Sequence, residues 1–151
     1  MKQIILTLCA VVCTLTSFGQ TPNAHGDNIV GVYMTEYNGD KGKVRVTRNA
    51  DGTYNARTIW AENPYDKKGN RRKDVKNPDK ALRGEYIDNI LLIENLRYLP
   101  NEQKWGEAKI YDPNTGMKVN ASAEFESAEC LKVRGTFMGF GVTLRWVRVE
   151  E

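Results

Sequence analysis

Histidine, cysteine and long apolar runs are scarce in this 151-residue sequence. There is one histidine, His25, and there are three cysteines, Cys9, Cys13 and Cys130. Zinc sites draw on histidine and cysteine, and a serine or cysteine nucleophile needs a base beside it. With one histidine in a polar N-terminal segment and no visible ligand spacing, neither a metal nor a cofactor is expected. Ser122 and Ser127 lie in no nucleophile motif, so no catalytic residue is assigned. Charge of one sign is also lacking: 22 basic against 19 acidic residues leave a net +3, too little to imply a polyanionic partner. The apolar run Ile4–Leu15 is too short to span a bilayer as a helix.

That run reads instead as the centre of a secretory signal. Lys2 is its basic head, and Ser17-Phe18-Gly19 puts small residues at the −3 and −1 positions of a cleavage site. Residues 1–19 are expected to be removed after Gly19, leaving a secreted or periplasmic chain without a transmembrane segment. Leu8 and Val12 stand where a lipoprotein would carry a small residue before its cysteine. Cys9 and Cys13 leave with the signal, so Cys130 remains alone and no internal disulfide forms. An isolated thiol of this kind is expected to be partly buried and inert. Behind a signal peptide, nucleic acid is not an expected partner.

What the rest of the chain has is alternation. In Met117–Phe125, Met117, Val119, Ala121, Ala123 and Phe125 share one face, while Lys118, Asn120, Ser122 and Glu124 share the other. A period of two marks a half-buried strand. Similar patterns predict strands at Ile29–Thr35, Lys43–Arg48, Thr53–Ala61, Ile90–Leu99, Lys104–Tyr111, Cys130–Met138 and Val142–Val149. Eight strands at this spacing suit an all-β fold, a single antiparallel up-and-down β-barrel. Residues 20–28 read as a mobile tail and residues 29–150 as the barrel domain. Residues 62–83 interrupt the pattern with Lys67, Lys68, Arg71, Arg72 and Lys73 and no sustained period; a long insertion of this kind is functional or mobile.

A set of short motifs occurs in order: Asp74-x-x-Asn77-Pro78-Asp79, Arg83-Gly84, Trp105, Ile110-Tyr111-Asp112-Pro113-x-x-Gly116, Leu131-x-Val133-Arg134-Gly135 and Trp146-x-Arg148. In this the chain resembles the secreted bacterial family called domain of unknown function 2147. The resemblance implies a lipocalin-like, or calycin-like, barrel and carries no biochemical activity with it. Three positions depart from the family pattern: Tyr33 replaces the Trp of an opening Gly-x-Trp, Ala108 a Gly, and Val119 an aromatic residue. Lipocalin-like barrels are similar in covering that opening ring with an arginine from the last strand. The resemblance therefore implies a latch in which Arg148 lies over Tyr33.

An eight-stranded barrel is just wide enough to be filled by side chains or to hold one small ligand. The small residues Gly31, Ala56, Gly106, Ala108, Ala121, Ala123 and Gly135 would leave a cavity, or make room for Trp60, Trp105, Phe125, Phe137 and Trp146. The candidate ligand site is Trp60, Trp105, Ala121, Ala123 and Phe137 inside, with Asp74 and Asn77 at the mouth, and the expected partner is a small apolar or amphipathic molecule. One alternative is a filled barrel that binds an envelope component through the 62–83 loop. Another is a hydrolase using carboxylates drawn from Glu36, Asp74, Glu85, Glu107 and Asp112.

Overall fold

The computed structural model describes residues 21–151; the expected signal peptide and its cleavage site lie outside them. The strands are β1 Gly31–Tyr37, β2 Asp40–Arg48, β3 Tyr54–Ala61, β4 Leu91–Leu99, β5 Lys104–Asp112, β6 Met117–Ser127, β7 Cys130–Phe137 and β8 Phe140–Val149. Each pairs antiparallel with its neighbours in sequence, and β8 closes on β1, so the sheet is a complete up-and-down barrel with no free edge. The alternation in β6 takes the expected form: Ala121, Ala123 and Phe125 are buried, and Glu124 is available to pair outside with Lys132 on β7 at 2.6 Å.

The two ends of the barrel differ. At one end the chain turns between β2 and β3, β4 and β5, and β6 and β7. Here the interior is packed solid. Trp105 is fully buried, meets Phe125 edge-on at 5.7 Å and lies 5.1 Å from Tyr98, with Tyr54, Leu96 and Leu131 in the same cluster. Residues 21–30 cross beneath this end. Where a mobile tail is expected, the structure ties the segment to the barrel at several points. Phe125 N donates to Asn23 Oδ1 at 2.7 Å, Asn23 Nδ2 donates to Phe125 O, Tyr98 Oη donates to Asn23 O and Trp105 Nε1 donates to Gly26 O. A 3₁₀ turn at Gly26–Ile29 then sets Ile29, 1% exposed, into the core.

At the other end lie the β1–β2, β5–β6 and β7–β8 turns and the long β3–β4 connection. That connection is not a structureless loop. Arg72 N donates to Pro64 O, Asp74 N to Glu85 O and Ile87 N to Arg72 O, and Asp79 caps a 3₁₀ turn at Lys80–Leu82 through Ala81 N. Arg71 grips Asp88 through two bonds of 2.9 and 2.8 Å and lies 4.0 Å over the Tyr86 ring. Two of the five residues of the basic run, Arg71 and Arg72, whose guanidinium donates to Asn63 O at 3.0 Å, are therefore spent on holding the connection in shape.

Candidate functional site

The open end leads into a cavity of about 880 Å³. Its floor is Val133 and Trp146, both buried; Leu92, Ile110, Val119 and Leu144 wall it; Trp60, Phe137, Phe140 and Val142 stand at its rim. A cavity forms here because inward positions of this half carry Thr35, Thr58, Val119 and Gly135, where the other half carries rings. A polar ring of the β3–β4 connection, including Arg72, Lys73 and Lys76, completes the mouth. Two buried polar atoms on the lining residues, Thr35 Oγ1 and Trp146 Nε1, have no hydrogen-bond partner among the described residues. Each belongs to the next residue beyond the last pair of the β1–β8 seam, Met34 with Val147.

The structure separates the predicted ligand residues into three groups. Trp60 and Phe137 line the cavity. Trp105, Ala121 and Ala123 do not: they belong to the packed interior, where Ala123 is the cross-strand partner of Trp105. The small residues here make room for a ring rather than for a ligand. Asp74 and Asn77 lie at the mouth end among lining residues but do not line the cavity themselves, being 2% and 5% exposed. Asp74 accepts the Tyr111 hydroxyl at 2.6 Å and Asn77 Nδ2 at 2.7 Å, and Asn77 Oδ1 accepts Asp79 N. These residues fasten the connection to β5. Burial and the Asp74 carboxylate push the Tyr111 hydroxyl well above the ordinary tyrosine range, so it stays a donor.

Tyr33 and Arg148 are cross-strand partners, and the guanidinium carbon lies 5.0 Å from the Tyr33 ring centroid and 5.5 Å from that of Phe125. Arg148 also donates to Val30 O at 3.0 Å and Asn28 O at 2.6 Å. Gly31 makes this approach possible: at φ 151° a β-carbon there would meet Arg148 Nη1 at 2.5 Å. Tyr33 donates its hydroxyl to Ile29 O, and its pKa is pushed up to about 12, chiefly by burial. The whole arrangement lies at the closed end, opposite the mouth.

The carboxylates are dispersed. Asp74 is held by Tyr111, Glu107 faces Arg97, Asp112 caps its own turn through Asn114 N and Thr115 Oγ1, and Glu85 accepts from Asn89. Cys130 is half-buried beside Glu126, and desolvation first and that carboxylate second raise its thiol pKa, which keeps it from being a thiolate. Thr35, Phe140 and Val142 were missed as lining residues. Alternation from Trp146 along β8 reaches Leu144, Val142 and Phe140 and was signal enough for the last two.

Among solved structures, the chain is similar to protein HP1028 from the human pathogen Helicobacter pylori, described as belonging to the lipocalin family. The two are 21% identical, the match covers 81% of this chain and 83% of that one, and the TM-score is 0.64. At that identity the likeness speaks for the fold. The family described as an uncharacterized protein conserved in bacteria (DUF2147) matches residues 31–148. Comparison with curated proteins finds no match.

Proposed function

The chain belongs to the bacterial DUF2147 family and folds as a lipocalin-like barrel, and we propose that it is a secreted or periplasmic carrier or sensor of a small amphipathic molecule. A lipocalin-like barrel is in general a binding fold and is typically non-catalytic. The observation that supports this reading is the 880 Å³ cavity with apolar walls, within the range of roughly 300–1,000 Å³ usual for small-ligand sites. Apolar walls of Leu92, Ile110, Val119 and Leu144 suit a hydrocarbon or aromatic body. The rim, with Arg72, Lys73 and Lys76, suits a polar or anionic end left at the mouth. A second acceptor on the ligand, reaching the floor, would satisfy Trp146 Nε1 or Thr35 Oγ1 after a small side-chain adjustment.

The test is incubation with a lipid extract, repurification and mass spectrometry of the released small molecules, together with titration of a fluorescent fatty acid. Leu144→Lys places an ammonium in the apolar wall, from which its stem reaches the open mouth without unfolding the barrel. It should weaken the fluorescent ligand about tenfold or more, since an apolar contact becomes a charged one. Recovery of no small molecule and no saturable fluorescence change would end the carrier reading.

A further inference from the structure

The mouth of the barrel carries more exposed apolar surface than the cavity needs. Of the eleven large apolar side chains exposed among the described residues, only Val30 and Val147 belong to the closed end. Met138 and Phe140, 81% and 83% exposed, stand at the tip of the β7–β8 hairpin, with Phe137 as the cross-strand partner of Phe140.

The turn itself shows that folding does not account for this tip. Two turns at the open end have the same form, two residues both at positive φ. The β1–β2 turn uses Asn38 at 53° and Gly39 at 83°, the residues this geometry favours. The β7–β8 turn uses Met138 at 49° and Gly139 at 84°. A methionine in the left-handed region is strained, and this one projects into solvent, so no internal contact offsets the strain.

Charge lies on the same end. Residues 62–83 hold eight basic and four acidic residues, a net +4 against +3 for the whole chain, so the remainder is slightly acidic. Lys41, Lys67, Lys68 and Lys73 are exposed and make no ion pair among the described residues. Three acids nearby are occupied: Asp40 faces Arg72 and Asn63, Asp66 accepts Lys68 N and Asn70 N, and Asp112 caps its turn, while the exposed Glu36 lies opposite Lys41 across the β1–β2 pair without forming an ion pair among the described residues.

We propose that the open rim docks on an anionic phospholipid bilayer, with Met138 and Phe140 entering the interface and the four lysines meeting the headgroups. Apolar side chains at a hairpin tip, at the same end of the barrel as the lysine-rich β3–β4 connection, combine the two terms that hold a peripheral protein on a membrane: buried apolar area and attraction to negative lipid. The barrel does not span the bilayer. Its outward faces carry Lys118, Asn120, Glu124, Lys132 and Arg134, where a membrane barrel would present an apolar band. Docked in this way, the cavity mouth faces the lipid. The inference goes beyond the cavity reading, because the surface works whether or not the cavity is filled.

Cosedimentation of the purified protein with vesicles tests it. Binding is expected to vesicles of phosphatidylcholine mixed with phosphatidylglycerol, with far less to phosphatidylcholine alone, and it should fall at about 1 M salt, where the screening length is about 3 Å. Met138→Asn should keep or raise the melting temperature, because Asn tolerates the left-handed region, yet weaken vesicle binding. Combined with Phe140→Thr, the loss should reach about tenfold. Lys67→Glu/Lys68→Glu/Lys73→Glu should cost about tenfold or more on anionic vesicles. No sedimentation, equal binding to neutral vesicles, or binding indifferent to Met138 and Phe140 overturns the proposal. So does capture by soluble polygalacturonate that needs the lysines and ignores the hairpin tip, which would assign the face to an acidic glycan. Fluorescent fatty-acid titration of the same preparations without vesicles reads the cavity separately, so the failure of one is not mistaken for the failure of the other.

Discussion

The closed and open ends of this barrel are built from the same eight strands and the same alternation, yet one is solid and the other hollow. At the closed end rings fill the interior: Trp105 with Phe125 and Tyr98, and Tyr33 with Trp146 at 6.2 Å. The N-terminal segment seals it, and Arg148 holds the seam between first and last strands. At the open end the seam is shorter. The β1–β8 register covers three pairs, Val32–Met34 against Val147–Val149, and does not extend to the mouth. The walls there are threonine, valine, leucine, isoleucine and glycine, with Trp60, Phe137 and Phe140 at the rim. The difference teaches that an eight-stranded barrel of one diameter can devote one half to stability and the other to binding, by the size of its inward side chains alone.

If this division holds, changes at the closed end should alter stability and leave binding intact. The largest effect is expected from Arg148→Ala. It removes two hydrogen bonds from a charged donor and a cation stacked over Tyr33 and Phe125. The cost should be about 3 kcal/mol, seen as a fall in melting temperature of about 10 °C. Fatty-acid affinity should stay within a factor of about two, since the residue lies opposite the mouth. A large loss of affinity at unchanged melting temperature would break the comparison.

Alkaline pH should act on the same end with a smaller effect. Tyr33, held up to about 12, and Tyr54, raised to about 12 by burial and then by the hydrogen bond to Asp27, both need their protons in the folded state. Below pH 10 the folded and unfolded chains both keep them, and full stability stands. Between about pH 10 and 12 the unfolded chain ionises first, so unfolding becomes easier as pH rises, by on the order of 2 kcal/mol for the fully buried Tyr33. Urea midpoints measured from pH 9 to 12 should fall across this window, and Tyr33→Phe should flatten the slope. An unaltered slope in that variant would remove Tyr33 from the account.

The smallest effect belongs to the open half. Thr35→Val removes a buried hydroxyl that has no partner among the described residues. In the free protein it should be neutral or stabilising by up to about 1 kcal/mol, whereas an unpartnered polar atom that a ligand satisfies should show as a loss of affinity. Calorimetry of the free variant and titration of an acceptor-bearing fatty acid beside a plain hydrocarbon probe distinguish the two. Equal affinity for both probes in both proteins would leave Thr35 out of recognition.

By itself the sequence determined the strands, their number, their antiparallel succession and the faces they present, because alternation at a period of two is a local property of each segment. The meeting of Tyr33 and Arg148 was implied by the family resemblance, and the structure shows it, with the two residues paired across the β1–β8 seam. Only the tertiary structure decided which half of the interior is filled. Which inward residues share a level depends on register, and register is shifted by bulges such as that between Trp105 and Ala108, where Glu107 turns to φ 57°. A one-residue displacement there puts Ala123 opposite Trp105, so a residue small enough to line a cavity instead accommodates an indole. That Asp74 and Asn77 turn inward from the mouth to hold Tyr111 and Asp79 was beyond local pattern for the same kind of reason. Their burial comes from the β3–β4 connection folding back onto Tyr111, a contact between segments 37 residues apart that no local pattern encodes. The N-terminal segment looks mobile from its composition, and it is ordered because Asn23 and Gly26 supply hydrogen-bond partners that Phe125, Tyr98 and Trp105 would otherwise lack at the barrel floor.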